Sequence, residues 1–193
     1  MVYDSDMYPV QFDVEYPEIR NRLTALVRLI LAIPAFVIIG LVSYGMFWLS
    51  LATALVILFR KKYPRQWFDW QVEVNRLKYR INAYAGLLRD EYPSTDDEQS
   101  VTLDIAYPDS AQLNRVLPLI KWILVFPHYI VLLILGPLAF VVSVIAWFAI
   151  LIVGRYPSGL FDFAVGVNRW TVRVSAYAGM LTTDRYPPFR LGE

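Results

Sequence analysis

The chain has 193 residues, of which 57% are hydrophobic and 18% are charged. Soluble domains average about 45–50% apolar and 25% charged residues, so this composition and a mean hydropathy of +0.43 argue against a soluble enzyme. The net charge of +1 gives no reason to expect nucleic-acid binding. The absence of cysteine and the single histidine exclude a thiolate or multi-histidine metal site within the chain. We expect no metal and no cofactor.

Two long blocks without a charged residue predict the membrane part of the chain. They lie between Arg28 and Arg60 and between Lys121 and Arg155, and each exceeds thirty residues. One helix needs about 20 residues to cross a bilayer, so a single straight helix would overshoot. Turn-forming residues at 43–45 and at 136–137 favour a helical hairpin in each block. The predicted membrane spans are about 24–42, 46–60, 116–135 and 138–154.

Two other topologies remain open at this point: one long, kinked helix per block, and a re-entrant hairpin that does not reach the far side. Pro34 and Pro127 occupy matching positions, and each is expected to kink its helix. Basic residues flank both ends of each block, which favours an even number of crossings and cytoplasmic termini. The N-terminus lacks a basic region followed by an apolar core, so we expect no cleaved signal peptide.

The chain reads as a tandem repeat. VQFDVEYP at 10–17 matches VTLDIAYP at 101–108, and a longer match relates residues 62–88 to 155–181. The motifs recur in the same order over the whole length, which is the signature of an internal duplication. We therefore assign a first repeat at 1–93, a linker at 94–99 and a second repeat at 100–193.

Each repeat begins with strict apolar–polar alternation, which predicts a half-buried strand. Each membrane block is followed by apolar residues at alternating spacings of 3 and 4, which predict amphipathic helices at about 66–89 and 159–181. Aromatic and basic residues on these helices suit the membrane interface. The predicted fold is an all-α membrane protein of two copies, each a short cytoplasmic strand, a transmembrane hairpin and an interfacial helix, with four membrane helices in total.

A polar set recurs at matching positions of the two amphipathic helices. Because a desolvated charge needs a partner, these residues are candidates for a structural network or, alternatively, for binding lipid headgroups. They are Asp69, Asn75, Arg76, Arg80, Asp162, Asn168, Arg169 and Arg173.

The second repeat resembles the DUF4389 family of uncharacterised bacterial membrane proteins, on the stretches FPHY, GRYPSGLFDF and RVSAYA. The first repeat resembles a divergent copy, with IPAF and FRKKYPRQWFDW at the corresponding places. The resemblance implies a membrane location, for which we expect the bacterial cytoplasmic membrane. It implies no particular activity.

An enzyme is not expected. No G-x-S-x-G motif is present, and a triad of Ser158, His128 and Asp162 would need residues from both ends of a membrane block. The predicted function is an integral membrane scaffold or accessory subunit, which contacts partners through its strands and interfacial helices, with membrane lipids and a protein partner or a second copy as partners. The alternatives are lipid binding or transport and, less favoured, a channel-forming oligomer or a lipase-like hydrolase.

Overall fold

The computed structural model describes residues 8–109 and 113–192. Within these residues the chain forms two short strands and five α-helices, and a π-helical turn at Ser175–Gly179 extends the last helix. The elements are β1 (Val10–Val14), α1 (Arg22–Arg60), α2 (Arg65–Ala85), β2 (Val101–Ile105), α3 (Leu117–Leu124), α4 (Phe126–Val153) and α5 (Ser158–Val174).

The prediction of four membrane helices is wrong, because each block contains one long apolar helix instead of a hairpin. The helix α1 continues for 39 residues through the expected turn at 43–45. Its apolar residues Ala35, Ile39, Val42 and Met46 form one stripe that packs against α2. A turn at 43–45 would break this stripe, so packing against α2 overrides the local turn signal. Two helices in the described residues, α1 and α4, are long and apolar enough to span a membrane.

The second block differs from the first at its proline positions. The helix is interrupted at Val125, between α3 and α4. Pro127 follows in the first turn of α4, where its missing N–H costs no helical hydrogen bond. Pro34 lies inside the continuous α1, and the expected turn at 136–137 lies inside the continuous α4. Of the alternatives left open by the sequence, one long helix per block agrees with the observed helices.

The two strands pair antiparallel, and the register relates the repeats by symmetry. Phe12 faces Leu103 at the centre of the ladder, and these are equivalent positions of the two copies. The apolar residues of both strands are buried and the alternate polar residues are exposed, as the alternation predicts. An approximate two-fold axis thus passes between Phe12 and Leu103.

The repeats exchange their strands. The helix α5 of the second repeat packs on β1 of the first, and α2 of the first repeat packs on β2 of the second. The successive layers are the sheet, then α2 and α5, then α1 and α4. The outermost helices α1 and α4 run antiparallel, because Trp147 Nε1 donates to the Ala25 carbonyl (3.0 Å) and the Arg20 amide donates to the Gly154 carbonyl (3.0 Å).

The C-terminal caps of α1 and α4 lie at equivalent positions but differ in residue type. Lys61 closes α1 with φ = 50°, and Gly154 closes α4 with φ = 79°, both left-handed. A side chain makes this conformation costly, by about 1–2 kcal/mol. We expect Lys61→Gly to raise the free energy of unfolding by about 1 kcal/mol, which corresponds to a rise of about 2–4 °C in Tm.

Thermal unfolding in one detergent would check this effect, with Gly154→Ala as the opposite change. A Cβ at Gly154 would lie 3.3 Å from the Arg22 guanidinium as well as being strained, so this variant should unfold at a lower temperature. An unchanged or lower Tm for Lys61→Gly would contradict the assignment of strain to this cap.

Candidate functional site

The central arginines of α2 and α5 bind the backbone of the exchanged strands. Arg76 Nε donates to the Leu103 carbonyl (3.1 Å), and Arg169 Nε donates to the Phe12 carbonyl (2.9 Å). Arg169 also pairs with Asp13 at 3.0 Å. The two arginines are equivalent, and each holds the middle residue of a strand from the other repeat. Their guanidinium groups therefore stabilise the contact between the repeats.

The next arginines hold the segments that follow each helix. Arg80 donates to the Ser94 carbonyl (2.6 Å), and Arg173 donates to the carbonyls of Arg190 (3.2 Å) and Gly192 (2.7 Å). These contacts fold each segment back over the helix before it.

The remaining members of the predicted polar set lie apart from this network. Asn75 and Asn168 each donate to the carbonyl four residues earlier in their own helix, both at 2.9 Å. Asp69 is exposed and pairs with Arg65 at 2.9 Å, and Asp162 is exposed near the start of α5. The structure thus brings the arginines to the strands and leaves both aspartates at the surface.

A buried cation–carboxylate pair at the start of α1 escaped the sequence analysis. The Arg28 side chain is 1% exposed and forms a salt bridge with Asp90. Arg28 also donates to the Arg89 carbonyl (2.9 Å) and lies over the Tyr84 ring at 4.9 Å. The second carboxylate oxygen of Asp90 accepts from the Asn21 amide (3.0 Å), just before α1 begins. One carboxylate thus joins the beginning of α1 to the segment after α2.

The second repeat contains the equivalent pair. Lys121 is fully buried, binds Asp184 at 2.7 Å and donates to the Thr183 carbonyl at 2.7 Å. Its ammonium lies 5.0 Å from the Tyr177 ring, and Asp184 accepts from the Asn114 amide (2.6 Å). The sequence signal was a basic residue at the same place in both apolar blocks, each with an aspartate just before the last Tyr-Pro of its repeat.

Arg20 lies beside the first of these pairs and is also buried. It donates to the Leu88 carbonyl, and its guanidinium lies 3.8 Å from Asp90. Burial lowers the pKa of Arg20 to about 10, a shift that Asp90 opposes. Arg20 therefore stays protonated at neutral pH, and the aspartate is shared between two buried arginines.

The single histidine is packed among aromatic side chains. His128 Nδ1 accepts a hydrogen bond from Trp170 Nε1 (2.8 Å), and its ring stacks on Phe189 at 3.9 Å between centroids. Ser158 and Asp162 are exposed at the start of α5. Within residues 8–109 and 113–192, no cluster of three or more His, Asp or Glu side chains has the arrangement of a metal site.

The outward surfaces of α1 and α4 are apolar. In the most apolar 18-residue segment of α1 only 28% is buried, and in the corresponding segment of α4 only 6% is buried. Core helices of soluble proteins bury such residues, whereas apolar surfaces of this extent mark contacts with lipid or protein. Large side chains that are more than half exposed include Leu23, Leu29, Ile33, Leu41, Phe47, Phe59, Phe126, Leu133, Phe140, Phe148 and Ile152.

An apolar cavity of about 400 Å³ lies where the beginning of α1 approaches the end of α4. Leu29, Phe36, Phe140 and Trp147 contribute to its wall, and Arg28 is a further lining residue. A cavity of about 300 Å³ is found at the equivalent place of the other repeat, lined by Phe47, Trp122 and Tyr129 among others. The duplication thus produces two related cavities between the long helices and the segments that follow α2 and α5.

These features define a mostly helical protein of two tandem copies with two membrane-compatible helices. The model of the family "Domain of unknown function (DUF4389)" matches residues 22–95 and 118–190. The chain belongs to this family, in two copies, which confirms the resemblance seen in the motifs. No curated protein and no solved structure matches the chain significantly.

Proposed function

We propose that the protein is an integral membrane scaffold or accessory subunit of a larger membrane complex. The observation that supports this proposal is the separation of two faces. The α1 and α4 layer is apolar on its outside, while the outer face of the sheet carries polar residues such as Asp13 and Thr102. A surface of this kind suits simultaneous contact with lipid on one side and with a partner on the other.

The proposed partner contacts are made by side chains of the sheet and of α2. Adding a strand to the sheet would need free carbonyls along its outer edges. The central carbonyls of both edges already accept from Arg76 and Arg169. This favours docking onto the exposed faces over extension of the sheet. The basic residues at the ends of the long helices support a location at the cytoplasmic membrane with both termini in the cytoplasm.

Native mass spectrometry of the protein, extracted gently from its own membrane, tests the proposal. We expect a stoichiometric foreign subunit or a defined oligomer. Thr102→Lys, on the exposed face of the sheet, should reduce the bound fraction at least tenfold. Asp96→Lys, in the exposed linker, is the matched control and should leave it unchanged. A monomer without a protein partner would contradict the scaffold function.

Lipid binding is a second candidate, supported by the cavity beside Arg28. Its volume of about 400 Å³ falls within the range of small-molecule sites, and its wall is mostly apolar. Ser143→Trp should fill the cavity, since Ser143 is one of its lining residues. If the site holds lipid, the native mass spectrum should show one bound lipid fewer for this variant. An unchanged number of bound lipids would contradict a specific site there.

A further inference from the structure

The helix α2 lies lengthwise along α1. Near the beginning of α1, Arg28 contacts Tyr84, close to the end of α2. Further along, Ile39 packs in one cluster with Leu77 and its neighbours. A Cβ at Gly45 would lie 3.7 Å from the Trp70 ring, near the beginning of α2. The two helices are therefore antiparallel neighbours over the central part of the uncharged block.

One flank of α2, between the side that packs on α1 and the side that packs on the sheet, is charged and exposed. The side chains of Asp69 and Glu73 are 52% and 59% exposed, and their arginine partners Arg65 and Arg76 are 64% and 37% exposed. If α1 crossed a bilayer, α2 would lie beside it in the hydrocarbon. Charged side chains at that depth cost at least about 2.5–3.5 kcal/mol each. The sheet, with its exposed Asp13, packs on the same layer and would add to this penalty.

The length of α1 also disagrees with a crossing. The uncharged stretch between Arg28 and Arg60 measures about 46 Å at 1.5 Å per residue. Fitting it into about 30 Å of hydrocarbon needs a tilt of roughly 50°, beyond the 0–40° that spanning helices adopt. The helix fits better when its long axis lies close to the plane of the membrane.

Exposed cations mark both ends of the antiparallel pair of long helices. Arg22 and Arg155 lie at one end, since the Arg22 guanidinium approaches Gly154. At the other end, Lys62 follows α1 and Arg115 occupies the position equivalent to Arg22. Cations at the level of the headgroups attract anionic lipids. Both ends therefore suit the same headgroup layer.

We propose that α1 and α4 are inserted into one leaflet without crossing the membrane. Their apolar outer faces contact the acyl chains, and α2, α5 and the sheet stay on the aqueous side. The approximate two-fold axis then runs along the membrane normal. The inference rests on the proposed membrane location but not on the proposed protein partner.

A pair of cysteines in this cysteine-free chain tests the insertion mode. Arg22→Cys and Lys62→Cys would be combined in one protein, so that each end of α1 carries one exposed thiol. The protein is reconstituted into vesicles of equal parts phosphatidylcholine and phosphatidylglycerol, and treated with a membrane-impermeant maleimide. Intact mass spectrometry then counts the labels on each molecule.

Insertion into one leaflet gives molecules with no label or two labels, whatever their orientation. A crossing gives one label on every molecule, and this result would overturn the proposal. The matched control combines Arg22→Cys with Arg155→Cys at the same end of the helix pair, which gives none or two labels in either topology. Detergent should expose both thiols in all variants.

Flotation of the vesicles separates the two proposals. Protein that does not float with the vesicles would overturn both the insertion mode and the membrane location. Protein that floats but carries a single label overturns the insertion mode alone. If native mass spectrometry finds no protein partner, the scaffold function is contradicted, but the labelling result still decides the insertion mode.

Discussion

Asp90→Ala is expected to lower the free energy of unfolding by about 3–4 kcal/mol, because it leaves the buried guanidinium groups of Arg28 and Arg20 without their shared carboxylate. The Arg28 side chain is 1% exposed, so water cannot replace the lost partner. The substitution also removes the acceptor for the Asn21 amide at the beginning of α1. Equilibrium unfolding by denaturant in a fixed detergent would measure the loss.

Asp69→Ala is the matched control, because Asp69 also pairs with an arginine but both partners are more than half exposed. Exposed pairs contribute about 0–1 kcal/mol, so this change should be small. Combining Asp90→Ala with Arg28→Leu should recover part of the loss, since an apolar side chain needs no partner at that site. The remaining loss reflects the buried Arg20 and the Asn21 amide, which still lack the carboxylate. Equal effects of the two aspartate substitutions would show that Arg28 is solvated.

Phe12→Ala should lower the free energy of unfolding by about 3–4 kcal/mol, the usual cost of removing a buried phenyl ring. Phe12 is 3% exposed, packs against Tyr79 at 5.4 Å and lies opposite Leu103 on the axis between the repeats. Its carbonyl also binds Arg169 from the second repeat. The loss should therefore destabilise both repeats together, in one cooperative transition.

Circular dichroism and tryptophan fluorescence followed in the same unfolding experiment would check this cooperativity. Thr102→Ala, on the exposed face of the same sheet, is the control and should change stability by less than about 0.5 kcal/mol. Two separate transitions for Phe12→Ala would mean that the repeats fold independently, in disagreement with the exchanged strands.

The local patterns of the sequence were sufficient for the strands, the amphipathic helices and the duplication, but not for the helices of the apolar blocks. Period-two alternation identified β1 and β2, and a spacing of 3 and 4 identified α2 and α5, because both patterns reflect which side chains face the core. The family followed from motifs such as GRYPSGLFDF. The expected helix at 66–89 is observed as Arg65–Ala85, and that at 159–181 as α5 with its π-helical turn.

The tertiary structure decided the points at which a distant contact outweighs a local signal. A turn at 43–45 was plausible from its residues, but the stripe from Ala35 to Met46 gains more by packing against α2 as an unbroken helix. Arg28 marked only the boundary of an uncharged block in the sequence, yet its partner Asp90 lies 62 residues away. Matching positions in the two repeats mark these residues as a set but do not show which side chains meet. The burial of the cation and the exchange of strands therefore emerge only when the repeats pack together.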